Sequence, residues 1–172
     1  MAWKQTLREL WQKEKWYWLA AVVLGVLLSL LFAAHWTEGY ADMIQKGIGG
    51  KVVRFHVLAN SDSEADQNLK LAVRDAVGSF MQEKLTAVEN LEECEMVVRQ
   101  SLGEIEEAAA ETIAENGYDY DVTAELEHTS FPVKNYGSYT FPAGDYEALR
   151  IVIGEGNGHN WWCVMYPNMC FS

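Results

Sequence analysis

The sequence predicts an α+β protein: an N-terminal hydrophobic helix, then strand–helix–helix, followed by an antiparallel sheet of about four further strands. Three observations support this. Residues 19–34 form an almost uninterrupted apolar run, residues 61–115 carry two apolar stripes at helical spacing, and strand-forming residues alternate between turn signals from residue 120 onward. Because both helices come together and the strands cluster late, we expect the helices to pack on one face of the sheet.

The N-terminal segment, residues 1–41, is a signal peptide or a membrane anchor. Four basic residues precede the apolar run, and tryptophans flank it at both ends. Residues 39–41 fit a small-x-small cleavage site, whereas residues 16–36 as one helix would span about 30 Å, roughly the hydrocarbon thickness of a membrane. Both interpretations remain open. In either one, positive residues stay inside, so the body, residues 51–172, is extracytoplasmic.

The body follows a glycine-rich tether, residues 42–50, and begins with a strand at residues 51–59. Ser61 and Glu64 have the spacing of a capping box, so we expect Ser61 to cap the first helix, which runs to about residue 84. The remaining predicted elements are, in order, a helix at 91–115 closed by Asn116-Gly117, a strand at 120–127, a type I turn at 141–144, a strand at 146–153, a glycine loop at 154–158 and a return strand at 161–166.

The body is strongly acidic. The whole chain has a formal net charge of −12, and from Asp42 onward 9 Lys/Arg against 22 Asp/Glu leave 9 − 22 = −13. A nucleic-acid partner needs a basic surface, so this charge argues against one. The dense glutamates of the second helix are typical of a solvated outer face.

No catalytic set or metal site stands out. The four histidines lack metal-ligand spacing, and the glycine loop precedes a strand, so it is not a dinucleotide fingerprint and we expect no cofactor. His56, Ser61 and Asp62 suggest a hydrolase only weakly, because capping explains the serine. Cys163 follows His159 by four residues, but a disulfide with Cys170 fits an exported protein better, and so small a loop would add roughly 2 kcal/mol.

Two long motifs resemble a known family. The first is residues 53–63, Val-Arg-Phe-His-Val-Leu-Ala-Asn-Ser-Asp-Ser, with Asp66-Gln67 and Val73-Arg74-Asp75 after it. The second is residues 141–156, Phe-Pro-Ala-Gly-Asp-Tyr-Glu-Ala-Leu-Arg-Ile-Val-Ile-Gly-Glu-Gly, followed by Asn-Trp-Trp-Cys-Val and a second cysteine. In this order they closely resemble the stage II sporulation protein R family, over roughly residues 51–172.

The resemblance implies a function. Members are made in the forespore and exported into the space between forespore and mother cell. There they activate a membrane-embedded aspartic protease of the mother cell, which processes the sigma factor E precursor. The protein would then be a ligand and not an enzyme, with the receptor protease as its partner. A cell-wall hydrolase and a static envelope-binding module are the alternatives.

The matching motifs supply candidate partner-binding positions. A strand that ends at a helix start is a common recognition surface, and tryptophan is enriched at binding hot spots. Since neighbours on a strand point to opposite faces, one of the two adjacent tryptophans can enter the core and the other must be exposed or covered. The candidates are Arg54, His56, Asn60, Asp62, Gln67, Arg74, Tyr146, Glu147, Arg150, Gly154, Glu155, Gly156, Trp161 and Trp162. Surface salt bridges and core packing are the structural alternatives.

Overall fold

The computed structural model describes residues 2–137 and 139–169, with backbone only for residues 2, 4–14 and 36–46. The chain divides into two compact units, Met1–Ile44 and Gln45–Ser172. Helix α1, Ala2–Gly49, contains a stretch, Lys15–His35, that is long and apolar enough to cross a membrane and has no buried residue. This fits the predicted signal sequence or anchor.

The predicted tether at residues 42–50 is helical as far as Gly49. The glycines of this segment led to the expectation of an irregular linker. A glycine inside a helix costs only about 1 kcal/mol, and the residues between these glycines are compatible with a helix. The helix therefore continues through them.

The second unit has the predicted order of one strand, two helices and then further strands. After α1, the elements are β1 (Val53–Leu58), α2 (Glu64–Leu85), α3 (Leu91–Glu115), β2 (Val122–Phe131), β3 (Lys134–Tyr136), β4 (Tyr139–Phe141), β5 (Gly144–Ile153) and β6 (Asn160–Tyr166). The α+β class is confirmed, and α3 has the predicted bounds. Pro142 and Ala143 form the short connection between β4 and β5 where the type I turn was predicted.

The main sheet has the strand order β2-β5-β1-β6. β1 runs parallel to β5 and antiparallel to β6, while β2 and β5 are antiparallel. The sheet is therefore mixed, with a single parallel pair at its centre. β3 and β4 form a separate two-stranded antiparallel hairpin.

The two faces of the main sheet are covered differently. On one face, Phe55 and Val57 of β1 and Ile151 of β5 pack against the predicted helical stripes. The buried stripe residues are Leu69, Val73, Val77, Met81, Cys94, Val98, Ile105, Ala109 and Ile113. On the other face a second cluster, containing Phe131, Phe141 and Tyr146, includes residues of the β3–β4 hairpin. The sequence predicted the helical layer but not this second cover.

The N-cap of α2 differs from the prediction. Ser63 is the cap, and its side chain accepts a hydrogen bond from the Asp66 amide at 3.1 Å. The Ser61 hydroxyl instead donates to the Asp66 carboxylate, and its oxygen accepts from the Ser63 amide at 3.2 Å. The capping assignment to Ser61 and Glu64 is therefore wrong, because Ser61 is engaged in holding the loop between β1 and α2.

Candidate functional site

A polar corner forms where the end of β1 meets the start of α2 and the β5–β6 loop. Its hub is the buried carboxylate of Asp66, which accepts hydrogen bonds from the Ser61 hydroxyl, from Asn60 Nδ2 at 3.0 Å and from the Tyr120 hydroxyl at 3.2 Å. These bonds, led by that of Ser61, hold the pKa of Asp66 below its usual value. The carboxylate is thus ionised and serves as a structural acceptor.

The outer part of the corner ties α2 to the strand that follows the loop. Asp62 Oδ1 accepts a hydrogen bond from the His159 amide at 2.6 Å and lies 2.5 Å from His159 Nδ1. These two contacts with His159 lower the pKa of Asp62. Gln67 Nε2 donates to the Ser61 carbonyl at 3.0 Å, and Lys70 Nζ donates to the His159 carbonyl at 2.9 Å. The Ser61 hydroxyl donates to the Asp66 carboxylate, and among the described residues it has no hydrogen bond to a histidine.

The glycine loop is fixed against this corner. Gly154 and Gly156 have φ values of +56° and +63°, which disfavour a side chain. A Cβ on Gly154 would lie 2.3 Å from Asn60 Oδ1, the atom that accepts from the Glu155 amide at 3.0 Å. A Cβ on Gly158 would lie 2.2 Å from the Ser61 carbonyl oxygen. Backbone approach to the corner therefore explains Gly154 and Gly158 without any ligand, and a Cβ on Gly156 would lie 2.6 Å from Val152 Cγ1.

The sheet face opposite the helices carries an aromatic cage around Arg54, which is 0% exposed. Its Cζ lies 4.3–5.7 Å from the ring centroids of the four cage residues Phe131, Tyr146, Phe141 and Tyr136. Nε donates to the Cys163 carbonyl at 2.9 Å and Nη2 to the Tyr136 hydroxyl at 3.1 Å. Within the described residues Nη1 has no hydrogen-bond partner. Burial lowers the pKa of Arg54.

His56 lies beside the cage and is 3% exposed. Its ring stacks on Trp162 with centroids 4.9 Å apart, and Phe131 lies 5.1 Å away. Neither ring nitrogen has a hydrogen-bond partner among the residues described. Burial, followed by the charges of Arg150 and Arg54, lowers the pKa of His56 to about 4. The imidazole is therefore neutral at physiological pH and sealed from substrate.

The adjacent tryptophans point to opposite faces, as predicted. Trp161 packs edge-on against Phe55 at 5.6 Å, with the Arg74 guanidinium 5.1 Å from its ring. Trp162 faces the cage, with Lys134 Nζ 5.8 Å from its ring. Both are half-buried, so neither presents a bare ring to a partner.

The candidate positions do not form one contiguous site. The polar corner brings together Asn60, Asp62, Gln67, Gly154, Glu155 and Gly156; the cage face holds Arg54, His56, Tyr146, Arg150 and Trp162; the helix face holds Arg74, Glu147 and Trp161. Glu147 is buried; its Oε1 lies 2.5 Å from Arg99 Nη2 and its Oε2 lies 3.0 Å from His128 Nε2. Arg150 lies 3.5 Å from Glu127 on the neighbouring strand. Most candidates are thus already engaged within the fold.

An apolar groove of about 860 Å³ was missed by the sequence interpretation. It lies beside the cage. The described residues that line it number ten, none of them charged, and include Val52, Tyr136, Tyr139, Phe141 and Met169. Tyr139 is 64% exposed. The aromatic residues of β3 and β4 could have indicated it. However, strands of three residues are too short to be distinguished from the turns around them.

The cysteines and metal-binding residues add no reactive centre to the part of the chain that the structure describes. Cys94 is a buried free thiol whose pKa burial raises to about 12. Cys163 is buried, whereas Cys170 lies outside the described residues, so their disulfide stays a prediction. No group of three or more His, Cys, Asp or Glu in the described regions is arranged to hold a metal ion.

Comparison with known proteins identifies the family. The family model described as Stage II sporulation protein R matches residues 49–172. The chain belongs to this family. Stage II sporulation protein R of Bacillus subtilis (strain 168) is 41% identical over 124 residues, covering 72% of this chain and 55% of the relative. The chain therefore spans about half the length of that curated relative. No solved structure matches the chain.

Proposed function

We propose that this protein is an exported signal of endospore formation that activates a membrane-embedded aspartic protease of the mother cell. That protease then processes the sigma factor E precursor. The family match over residues 49–172 supports the proposal, as does the apolar stretch Lys15–His35, which suits a signal sequence or anchor. On this proposal the body works in the space between forespore and mother cell.

One observation carries the proposal that the body acts by contact and not by catalysis. The polar side chains that a hydrolase would need already have partners within the described residues, and of these Asp62 and His159 pair with each other at the surface. The Ser61 hydroxyl donates to Asp66, Asp62 binds His159, and His56 is sealed between aromatic rings. By contrast, the part of the groove lining that the structure describes is uncharged, which suits binding of a partner.

The charge of the body fits this role. A net charge of −13 from residue 42 onward keeps the body soluble and repels it from anionic lipid headgroups. A disulfide between Cys163 and Cys170 would brace the end of β6 in an oxidising compartment and would raise the free energy of unfolding by roughly 2 kcal/mol. We propose that the bridge helps the body to persist there.

The test is reconstitution in a bacterium that does not form spores. The full-length chain is co-expressed with the receptor protease and the sigma factor E precursor, and precursor shortening is followed by immunoblot. A matched variant lacking residues 16–36 keeps the body in the cytosol. We expect the precursor to be shortened when the exported chain is present and not when the cytosolic variant replaces it. Its absence with the exported chain, or equal shortening with the cytosolic variant, would contradict the proposal.

A second readout addresses the hydrolase alternative. The purified full-length chain is incubated with isolated cell walls, and the release of soluble peptidoglycan fragments is measured. We expect no release above that of a heat-denatured sample. Release that depends on the folded chain would favour a hydrolase.

A further inference from the structure

We propose that the apolar groove binds an extended peptide segment of the receptor that combines a large apolar side chain with a carboxylate, and that the Tyr136 hydroxyl, backed by Arg54, recognises the carboxylate. This inference rests on the proposed function. It names the surface and the chemistry of the partner that the proposed function leaves open.

The first step is the missing counter-charge of Arg54. The guanidinium is fully buried, it makes two hydrogen bonds to neutral acceptors, and Nη1 has no partner among the described residues. No ion pair of Arg54 with an acidic side chain is present in that part of the chain. Burial of an unpaired charge is costly, and the surrounding rings offset only part of this cost. A negative charge nearby would therefore be stabilised, and because the guanidinium is fully buried it can act on such a charge only through a neighbouring side chain.

The second step is the path from Arg54 to the groove. Tyr136 lines the groove, and its hydroxyl oxygen accepts the hydrogen bond from Arg54 Nη2 at 3.1 Å. Burial raises the pKa of Tyr136, so this hydroxyl keeps its proton at neutral pH. No acceptor for that proton occurs among the described residues. A donor polarised by a cation is a stronger donor, so an acceptor in the groove would be bound preferentially if it were ionised.

The third step is the shape and charge of the groove. Its volume of about 860 Å³ is large enough for one or two bulky side chains, and its apolar lining includes Phe141 and Met169. The body as a whole is acidic. This face carries Arg54, Lys134 and Arg150, and its glutamates Glu125 and Glu127 lie 3.9 Å and 3.5 Å from Nη1 of Arg150. A peptide with a carboxylate complements this face better than an anionic membrane surface, which the acidic body would repel.

The test uses the full-length chain in neutral detergent micelles, with its methionine methyl groups labelled with ¹³C. The probes are acetyl-Leu-Trp-Glu-Leu-amide and its counterparts with Gln or Lys in place of Glu. NMR titration follows the methyl signal of Met169 in the groove, and Met96 on α3, which is exposed, serves as the internal control. We expect Met169 to shift and Met96 to stay unchanged. We expect the Glu peptide to bind about five- to tenfold more tightly than the Gln peptide.

Two variants separate charge recognition from apolar binding. Tyr136→Phe keeps the ring and removes the hydroxyl, so it should abolish the preference for Glu over Gln while leaving the Gln affinity unchanged. Tyr139→Ala should weaken binding of all three peptides. The inference is overturned if no peptide shifts Met169, if the three peptides bind equally, or if the preference survives in Tyr136→Phe.

A lipid site is the remaining outcome that would overturn the inference. If phosphatidylglycerol added to the micelles shifts Met169 and the peptides do not, the groove contacts lipid. The titration contains no receptor, so its failure leaves the precursor-cleavage assay unaffected. Conversely, failure of that assay with intact peptide binding would count against the proposed function alone.

Discussion

Replacement of Gly154 by alanine tests the structural role of the glycine loop. The residue has φ +56°, and an added Cβ would lie 2.3 Å from Asn60 Oδ1. Asn60 cannot turn away without breaking its bonds to the Glu155 amide and the Asp66 carboxylate, both 3.0 Å long. The left-handed backbone costs alanine about 1 kcal/mol, and the two lost hydrogen bonds about 1 kcal/mol each. The free energy of unfolding should fall by about 3 kcal/mol, which lowers Tm by about 12 °C in a domain of this size.

The assay is thermal unfolding of the full-length chain in detergent, followed by near-ultraviolet circular dichroism of the packed tryptophans. Gly103→Ala is the matched control: Gly103 lies inside α3, and an added Cβ there meets nothing within 4 Å. That variant should gain about 0.5–1 kcal/mol, since alanine favours a helix over glycine. If Gly154→Ala melted within about 2 °C of the wild type, or if both variants lost the same stability, the described contact between the loop and the corner would be refuted.

Three further predictions concern protonation, the polar corner and the thiols. The pKa of His56 is about 4 in the folded protein and about 6.5 in the unfolded chain. Because the unfolded chain is protonated first as pH falls, the free energy of unfolding should drop by about 3 kcal/mol between about pH 6.5 and pH 4. His56→Phe should remove this part of the pH dependence in urea denaturation, and an unchanged slope would refute the buried neutral imidazole. Ser61→Ala should lower stability by about 1–2 kcal/mol yet retain precursor cleavage, because the hydroxyl is a structural donor; a stable variant that had lost cleavage would indicate chemistry at this serine. Thiol titration of the exported, denatured chain without reductant should find one reactive group, that of Cys94, and three would exclude the Cys163–Cys170 bridge.

The helical layer was predictable because its information is local. The apolar stripe of α3 and the Asn116-Gly117 stop specify an amphipathic helix at residues 91–115, and the observed helix has the same bounds. The N-cap of α2 was not predictable in the same way. Ser61 and Ser63 both suit a cap. The Ser61 hydroxyl donates to the Asp66 carboxylate, whereas the Ser63 hydroxyl oxygen accepts from the Asp66 amide and so caps the helix. Neighbouring residues alone do not reveal which serine is engaged elsewhere.

The burial of Arg54 and His56 illustrates a different limit. Strand alternation puts both side chains on one face of β1, and the structure shows that this is the face opposite the helices. Whether that face is open or covered depends on the β3–β4 hairpin, about 80 residues further along the chain. Its two strands have three residues each, too few for a clear alternating pattern. A polar pair that looked like a recognition surface in sequence is therefore an interior feature of the fold.

The most direct test of action by contact is the stoichiometry of receptor activation. Purified full-length chain is titrated against a fixed amount of the receptor protease in proteoliposomes, and the initial rate of precursor cleavage is measured. A ligand should saturate near one chain per receptor binding site, and activation should reverse when the chain is removed. Full activation of many receptors by a small fraction of that amount, persisting after removal, would show that the chain modifies its partner covalently and would contradict the account.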